Sequence, residues 1–420
     1  MSITFEQMSK MRREFHQIAE PGWLEFQTTI RIINYLKSYG YEDLAYGRAI
    51  HGERVGLPTK SKIQEYKNSL SLDADYDISE ILEGYTGVVA RLDTGKEGPT
   101  IAMRFDIDAN DVGETQDQGH IPNKEGFRSK NDFAMHACGH DGHITIGLTI
   151  AKWLIDEKEN LKGKFIIVFQ PAEEGVRGAK SMVEAGVLDG ADYFLAGHIG
   201  LGVESGVLGL GTVGFLATSK LDVYFEGVSS HAGAAPELGK NALLAAASCA
   251  LNLHTLTQFA SGMTRLNVGT LNAGSGRNVV PANAMMQIET RGENEEVNEA
   301  LRKKVNKVIE GTAKTFDVEH RVVEAGSAPA YNTYDKEFVG KVSQYLKENG
   351  FIIDIARSLG GSEDVTYMMN EVENNGGKAL HFMYGTTLAA AHHNNKFDYE
   401  EETLEMALNA LKKTVELLLK

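Results

Sequence analysis

The sequence predicts an α/β protein: a domain with a mostly parallel central sheet, interrupted by a smaller α+β domain. Three observations carry this. Short apolar runs bounded by turns alternate with helical periods, as in Lys164–Phe169 followed by Ala179, Met182 and Val183. Several of these runs end in polar side chains, so one sheet edge collects chemistry. Near residue 200 the pattern changes to in-out alternation, and the first pattern resumes at Tyr334. The 420 residues suffice for two or three domains at roughly 150 each. We place one domain at 1–216 and 328–420 and the other at 217–327.

In chain order, a helix around Arg12–His16 breaks at Pro21-Gly22-Trp23, and a second carries Ile30, Ile33 and Leu36 before Gly40. Residues 45–85 are polar with little periodicity, and read as a partly helical insertion or excursion between framework elements. Strands follow at 87–92 and 100–105, the latter running into Asp106-Ile107-Asp108. Ile146, Ile150, Trp153 and Leu154 mark a helix. Strand 164–169 ends near Glu173-Glu174, and strand 193–197 ends at His198. Seven glycines between Gly197 and Gly214 mark a flexible or closely packed passage. The second domain then shows the alternating strand 221–226, Ser229-Ser230-His231, a helix from about 240 to 259, strands near 265–268 and 284–290, and a charged helix at 294–315. The last part holds a helix to about Lys347, strands at 351–354 and 379–383, His392-His393, and a final helix at 400–419.

The hydrophobic share of 42% and charged share of 24% are ordinary for a globular protein. A formal charge of −16 argues against nucleic acid and anionic membrane surfaces as partners. Two cysteines give no disulfide framework. The first residues lack an apolar signal-type core, and no stretch is apolar enough to span a bilayer. The expectation is a cytoplasmic protein.

Met135–His143 places three histidines, Cys138 and Asp141 in nine residues of a chain with thirteen histidines and two cysteines. Thiolate plus imidazole suits zinc, manganese or a similar ion. The further ligand candidates are Glu173, Glu174, His198, His392 and His393. Singly each has a plainer reading: a Glu-Glu pair often opens a solvated helix, and a histidine at a strand end is often a satisfied core residue. Asp106 and Asp108 read either as part of a ligand edge or as acidic caps of a solvated loop.

These stretches carry a resemblance. RREFHQIAEPGWLEFQT, MRFDIDA, MHACGHDGH, FQPAEEGVRGAKSMVEAGVL, the His198 strand end, SSHAGAAPELGKNALLAA, GRNVVPANA, GSEDVTYMM and HHNNKFDYEE span nearly the whole chain. In that order they resemble the M20 metallopeptidase family, in its amidohydrolase branch. The resemblance implies a zinc-peptidase-like catalytic domain with an inserted lid and dimerisation domain. It implies two divalent metal ions (Mn2+ or Zn2+, with Co2+ or Ni2+ as alternatives) held by Cys138, His140, Glu174, His198 and His393. Glu173 becomes the general base, and Asp108 orients a ligand. Asp106 falls where some relatives have a metal-binding histidine. Asn394-Asn395 departs from the proline of many relatives. His231 resembles the histidine that reaches into the site of a partner chain, and Asn278, Arg291 and Ser362 line the substrate.

The implied reaction is hydrolysis of the amide of an N-acyl amino acid, p-aminobenzoyl-glutamate among them. Alternatives are a broader N-acyl-amino-acid or dipeptide hydrolase, a cysteine hydrolase using Cys138, and a non-catalytic partner subunit. The implied assembly is a homodimer, or a heterodimer with a related subunit.

Overall fold

A computed structural model describes residues 3–70, 72 and 74–420. Positions 71 and 73 of the polar excursion lie outside the described residues. Twelve strands are described: β1 (Asp43–Tyr46), β2 (Val88–Asp93), β3 (Thr100–Asp106), β4 (Lys164–Gln170), β5 (Tyr193–Ile199), β6 (Val207–Leu210), β7 (Ala217–Glu226), β8 (Thr264–Ala273), β9 (Asn283–Gly292), β10 (Glu319–Ala328), β11 (Ile352–Ile355) and β12 (Lys378–Tyr384). The chain divides into two compact units: Met1–Val213 with Thr333–Leu359 and Tyr367–Lys420, and Gly214–Asn332 with Gly360–Thr366. The segment 360–366, which carries Ser362, therefore belongs to the second unit, outside the 217–327 boundary expected from sequence.

The first unit is built on an eight-stranded sheet, order β1-β2-β4-β3-β5-β12-β6-β11. Its centre, β4-β3-β5-β12, is parallel throughout. The pairs β1-β2, β2-β4 and β12-β6 are antiparallel. β4 is buried along its length except at Lys164, because helices cover both faces of a parallel sheet. Four parallel strands point their C-terminal ends to one edge, which fixes where Asp106, Gln170 and His198 emerge. The helix His140–Asp156 packs against β3, and most of its residues are buried.

Sequence patterning missed two strands here. β1 lies at the start of the polar excursion, half-exposed at the sheet's edge, so it needs no apolar run. The same excursion is partly helical, as expected: its helix, Lys60–Ser69, has no buried residues. The glycine-rich passage contains β6, where a Cβ on Gly209 would lie 2.9 Å from the Met383 Cβ. The glycine serves close strand approach rather than flexibility.

The second unit is an antiparallel sheet, order β10-β7-β9-β8. Leu221, Val223, Phe225, Met286 and Ile288 face the helices Ala242–Leu253 and Glu295–Thr315, which contribute Ala246, Cys249, Leu301, Val305 and Ile309. The first of these helices stops at Leu253, short of the expected 259. Thr255 there turns back to donate its hydroxyl to the Asn252 carbonyl (2.7 Å).

Candidate metal centre

Each donor arrives by a separate local device. Gly139 takes φ 86°, a conformation that favours glycine, and so opens the helix at His140 with Cys138 two residues before it. Beyond β4, the segment 171–174 turns sharply, with Ala172 at φ 52°. Its amides are held from outside the loop: Ala172 N donates to Glu25 Oε1 (2.8 Å), and Glu173 N and Glu174 N donate to the two oxygens of Asp108 (3.0 Å each). β5 delivers His198. The loop after β12 brings His393 back to the cysteine loop through His393 N to Ala137 O, 2.8 Å.

The imidazoles are oriented as ligands. His140 Nδ1 bonds to the Asp108 carbonyl (2.8 Å) and His198 Nδ1 to the Ile199 carbonyl (2.8 Å). A carbonyl only accepts, so both Nδ1 atoms carry the proton and both Nε2 atoms present a lone pair. His198 Nε2 lies 3.3 Å from Cys138 Sγ. His140 Nε2 lies 3.9 Å from Glu173 Oε2, and His393 Nε2 lies 3.4 Å from Glu174 Oε1. Donor atoms of Cys138, His140 and His198 lie within 4.8 Å of one another, as do those of Cys138, Glu174 and His393 and those of His140, Glu173 and Glu174.

The electrostatics ask for a cation. Burial, reinforced by the Glu174 charge, pushes the Cys138 thiol well above its ordinary range. Burial, reinforced by His143 and His392, keeps His198 well below its own. Burial would also neutralise Glu174, but the neighbouring His393 and His140 imidazoles outweigh it and bring the carboxyl down to about 2. His140 Nε2 and Glu174 Oε1 are buried without a hydrogen-bond partner. A divalent cation would complete both atoms and stabilise the thiolate, so the donor set fits one.

Sequence reasoning missed the layer beneath. Arg104, 1% exposed inside β3, donates to Asp106 Oδ2 (2.7 Å) and to Gln170 Oε1 (2.7 Å). Asp106 Oδ1 takes the Nδ1 proton of His143, whose Nε2 accepts from Ile199 N at 2.9 Å. Both Asp106 oxygens are thus engaged by side chains next to the ligand strands. The available signal was an arginine inside an otherwise apolar run. His392 donates Nε2–H to the Ile199 carbonyl (3.1 Å), which leaves His393 as the histidine facing Glu174.

The other sequence candidates lie in the second unit. His231 is exposed, and its Nδ1 accepts from Gly233 N (3.2 Å) and Ala234 N (3.0 Å), which puts the proton on Nε2. Asn278 is exposed, and its carbonyl accepts from Ala232 N. Arg291 is paired with Glu289 at 3.1 Å. The Ser362 hydroxyl donates to the Leu216 carbonyl at 2.8 Å.

Comparison with known proteins decides the family. The model of peptidase family M20/M25/M40 matches residues 102–417. The chain belongs to this family. Across 413 residues it is 43% identical to a p-aminobenzoyl-glutamate hydrolase subunit of Escherichia coli, covering 97% of this chain and 94% of that one. Across 415 residues it is 42% identical to an indole-3-acetyl-aspartic acid hydrolase of Enterobacter agglomerans, covering 96% and 94%. Its structure resembles that of an aminobenzoyl-glutamate utilization protein from Klebsiella pneumoniae, with a TM-score of 0.82, 36% identity and coverage of 98% and 95%. This M20 protein is a hydrolase acting on amides, with a catalytic unit on a large sheet and a second unit on an antiparallel one. Family membership implies divalent metal ions, and the donors around Cys138 and His140 are the residues that fit them.

Proposed function

We propose that the protein hydrolyses the amide bond of N-acyl amino acids in which an aryl acyl group is joined to an acidic amino acid, p-aminobenzoyl-glutamate being the leading substrate. One observation supports this most: five donors converge beside a further carboxylate, Glu173, which is 7% exposed. Cys138, His140, Glu174, His198 and His393 would hold two divalent ions. These would polarise the amide carbonyl and lower the pKa of a water. Glu173 takes the proton of the attacking water and returns it to the leaving amine. Glu174 faces His393 and cannot share that task.

His231 is the proposed donor to the developing oxyanion, through the Nε2–H that its backbone contacts fix. Asn278 and Arg291 are the proposed holders of the substrate carboxylate, with Glu289 orienting the guanidinium. Ser362 is the weakest of the lining candidates, because its hydroxyl is already engaged. The Escherichia coli relative is named as one subunit of its hydrolase, which supports assembly with a second, related chain or a second copy.

The test is a panel on metal-stripped protein reloaded with Mn2+, Zn2+, Co2+ or Ni2+. It offers p-aminobenzoyl-glutamate, indole-3-acetyl-aspartate, N-acetyl amino acids and dipeptides. The aryl conjugates should be cut fastest, and turnover confined to dipeptides would sink the assignment. Mixing His231→Ala with Glu173→Ala protein should restore activity if His231 acts across subunits; no rescue places it within one chain.

A further inference from the structure

The stretch Glu20-Pro21-Gly22-Trp23-Leu24-Glu25 is absorbed by nothing in that reaction, yet it lies against the loop that carries Glu173 and Glu174. We propose that Glu25 is a positioning residue for this loop, and that the turn around it is the cradle holding both carboxylates in place. The inference rests on the reading of Glu173 as base and Glu174 as metal ligand.

The two carboxylates of the cradle divide three successive amides. Asp108 takes those of Glu173 and Glu174, and Glu25 takes that of Ala172 at 2.8 Å. The Ala172 carbonyl is held within the loop by Arg177 N (3.1 Å) and Gly178 N (2.9 Å), and Glu25 supplies the acceptor for its amide from outside. That residue is where the backbone adopts φ 52°, a left-handed conformation that an alanine keeps only when its surroundings hold it. Glu25 is itself fixed: it is fully buried, and its other oxygen, Oε2, accepts from Thr86 Oγ1 at 2.6 Å. Gly22 closes the cradle from the same turn. A Cβ there would come within 3.0 Å of both Cα and Cβ of Ala172.

The turn is anchored independently of the loop. Glu20 accepts from Gln27 N (3.1 Å) and Thr28 N (2.8 Å), at the start of the helix Phe26–Tyr39. Its carbonyl accepts from Ala109 N (2.8 Å), next to Asp108. Both halves of the clamp are thereby tied together before either meets the loop. The segment requires an acceptor at Ala172 N; it does not require a charge there.

The experiment compares Glu25→Leu with Glu25→Gln. The Leu variant loses the acceptor, and the Gln variant keeps an oxygen that can take the same N–H. Two quantities are read per folded molecule: Zn2+ affinity, by competition with a chromophoric chelator, and kcat and KM on p-aminobenzoyl-glutamate. Glu25→Leu should weaken Zn2+ binding about 10- to 100-fold and lower kcat by a similar factor with KM little changed. Glu25→Gln should recover most of both. A purely structural role would lower thermal stability and leave both values intact, and that result overturns the proposal.

Should Glu25→Leu fail to fold, Thr86→Val removes only the hydroxyl that fixes Oε2. It should weaken Zn2+ binding about 3- to 10-fold, and wild-type affinity in it overturns the proposal. Glu173→Gln separates this inference from the reading beneath it. If that variant keeps its activity, the base assignment falls while the effect on Zn2+ affinity still judges the cradle. If it is inactive and Glu25→Leu behaves as wild type, the cradle falls alone.

Discussion

Two halves of one nine-residue stretch meet opposite environments. Cys138 and His140 point donor atoms into a gap among carboxylates, where His140 Nε2 has no hydrogen-bond partner. Asp141, the next residue, is saturated. It accepts from Arg12 Nε (2.9 Å) and from His16 Nδ1 (2.8 Å). Arg12 also reaches Asp398 (2.6 Å) and Glu401 (3.4 Å) and stacks over Tyr399, while His16 reaches Glu114 (3.0 Å). This network ties the helix Phe5–Gln17 to the C-terminal part of the chain, and it is closed. The metal half instead offers its donors to a cation. A buried polar group without a partner is costly; a cation would remove that cost at His140 Nε2, whereas Asp141 meets it with partners from the protein itself. His136 lies between: it is 1% exposed, neither ring nitrogen is bonded, and burial lowers its pKa to about 3, so it stays neutral.

The contrast can be broken at its strongest point first. Chelation of divalent ions should abolish amide hydrolysis, and add-back should restore it. Activity that survives complete stripping, verified by elemental analysis, would return Cys138 to the role of nucleophile. Cys138→Ala should lower metal affinity by at least about 100-fold, read by chelator competition. Glu173→Ala should keep its metal and lose about 10²- to 10⁴-fold in kcat. A variant that loses both would make Glu173 a ligand.

On the closed side the expected loss is in stability. Arg12→Met removes the buried cation that Asp141 and Asp398 share and should cost about 3–5 kcal/mol in denaturant unfolding, with kcat per folded molecule unchanged. A selective loss of metal affinity instead would show that the two halves are one unit.

The pH dependence sharpens the same point. Burial opposes the charge on His16, but hydrogen bonds to Asp141 and Glu114 outweigh it and raise the pKa from 6.5 to about 9. The stabilisation is therefore complete below about pH 6.5 and is lost as pH rises through about 9. Unfolding midpoints from pH 6 to 10 should show this decline, and His16→Gln should flatten it. The smallest effect is expected for Tyr399→Phe, which removes a 3.3 Å hydrogen bond to Asp141 and should cost about 1 kcal/mol.

The donors were legible because their chemistry is unusual for their setting: a thiol among histidines, and carboxylates or imidazoles where apolar strands end. The central strands were legible for a similar reason, since β3, β4 and β5 are buried runs bounded by turns. β1 and β6 were not, being short edge or glycine-containing strands whose pairing is set by neighbours rather than by pattern. Arg12 and His16 gave no sign of reaching Asp141, because residues four apart on a helix surface look alike whether they meet water or a buried carboxylate.

By itself, then, the sequence determined which residue types were on hand and which strand ends carried them. It could not determine that Asp106 spends both oxygens on Arg104 and His143, or that Glu25 reaches Ala172. Those are choices among hydrogen-bond partners far apart in the chain. They are settled only when burial removes water as the competing partner, and tertiary structure alone decides which polar groups are buried together.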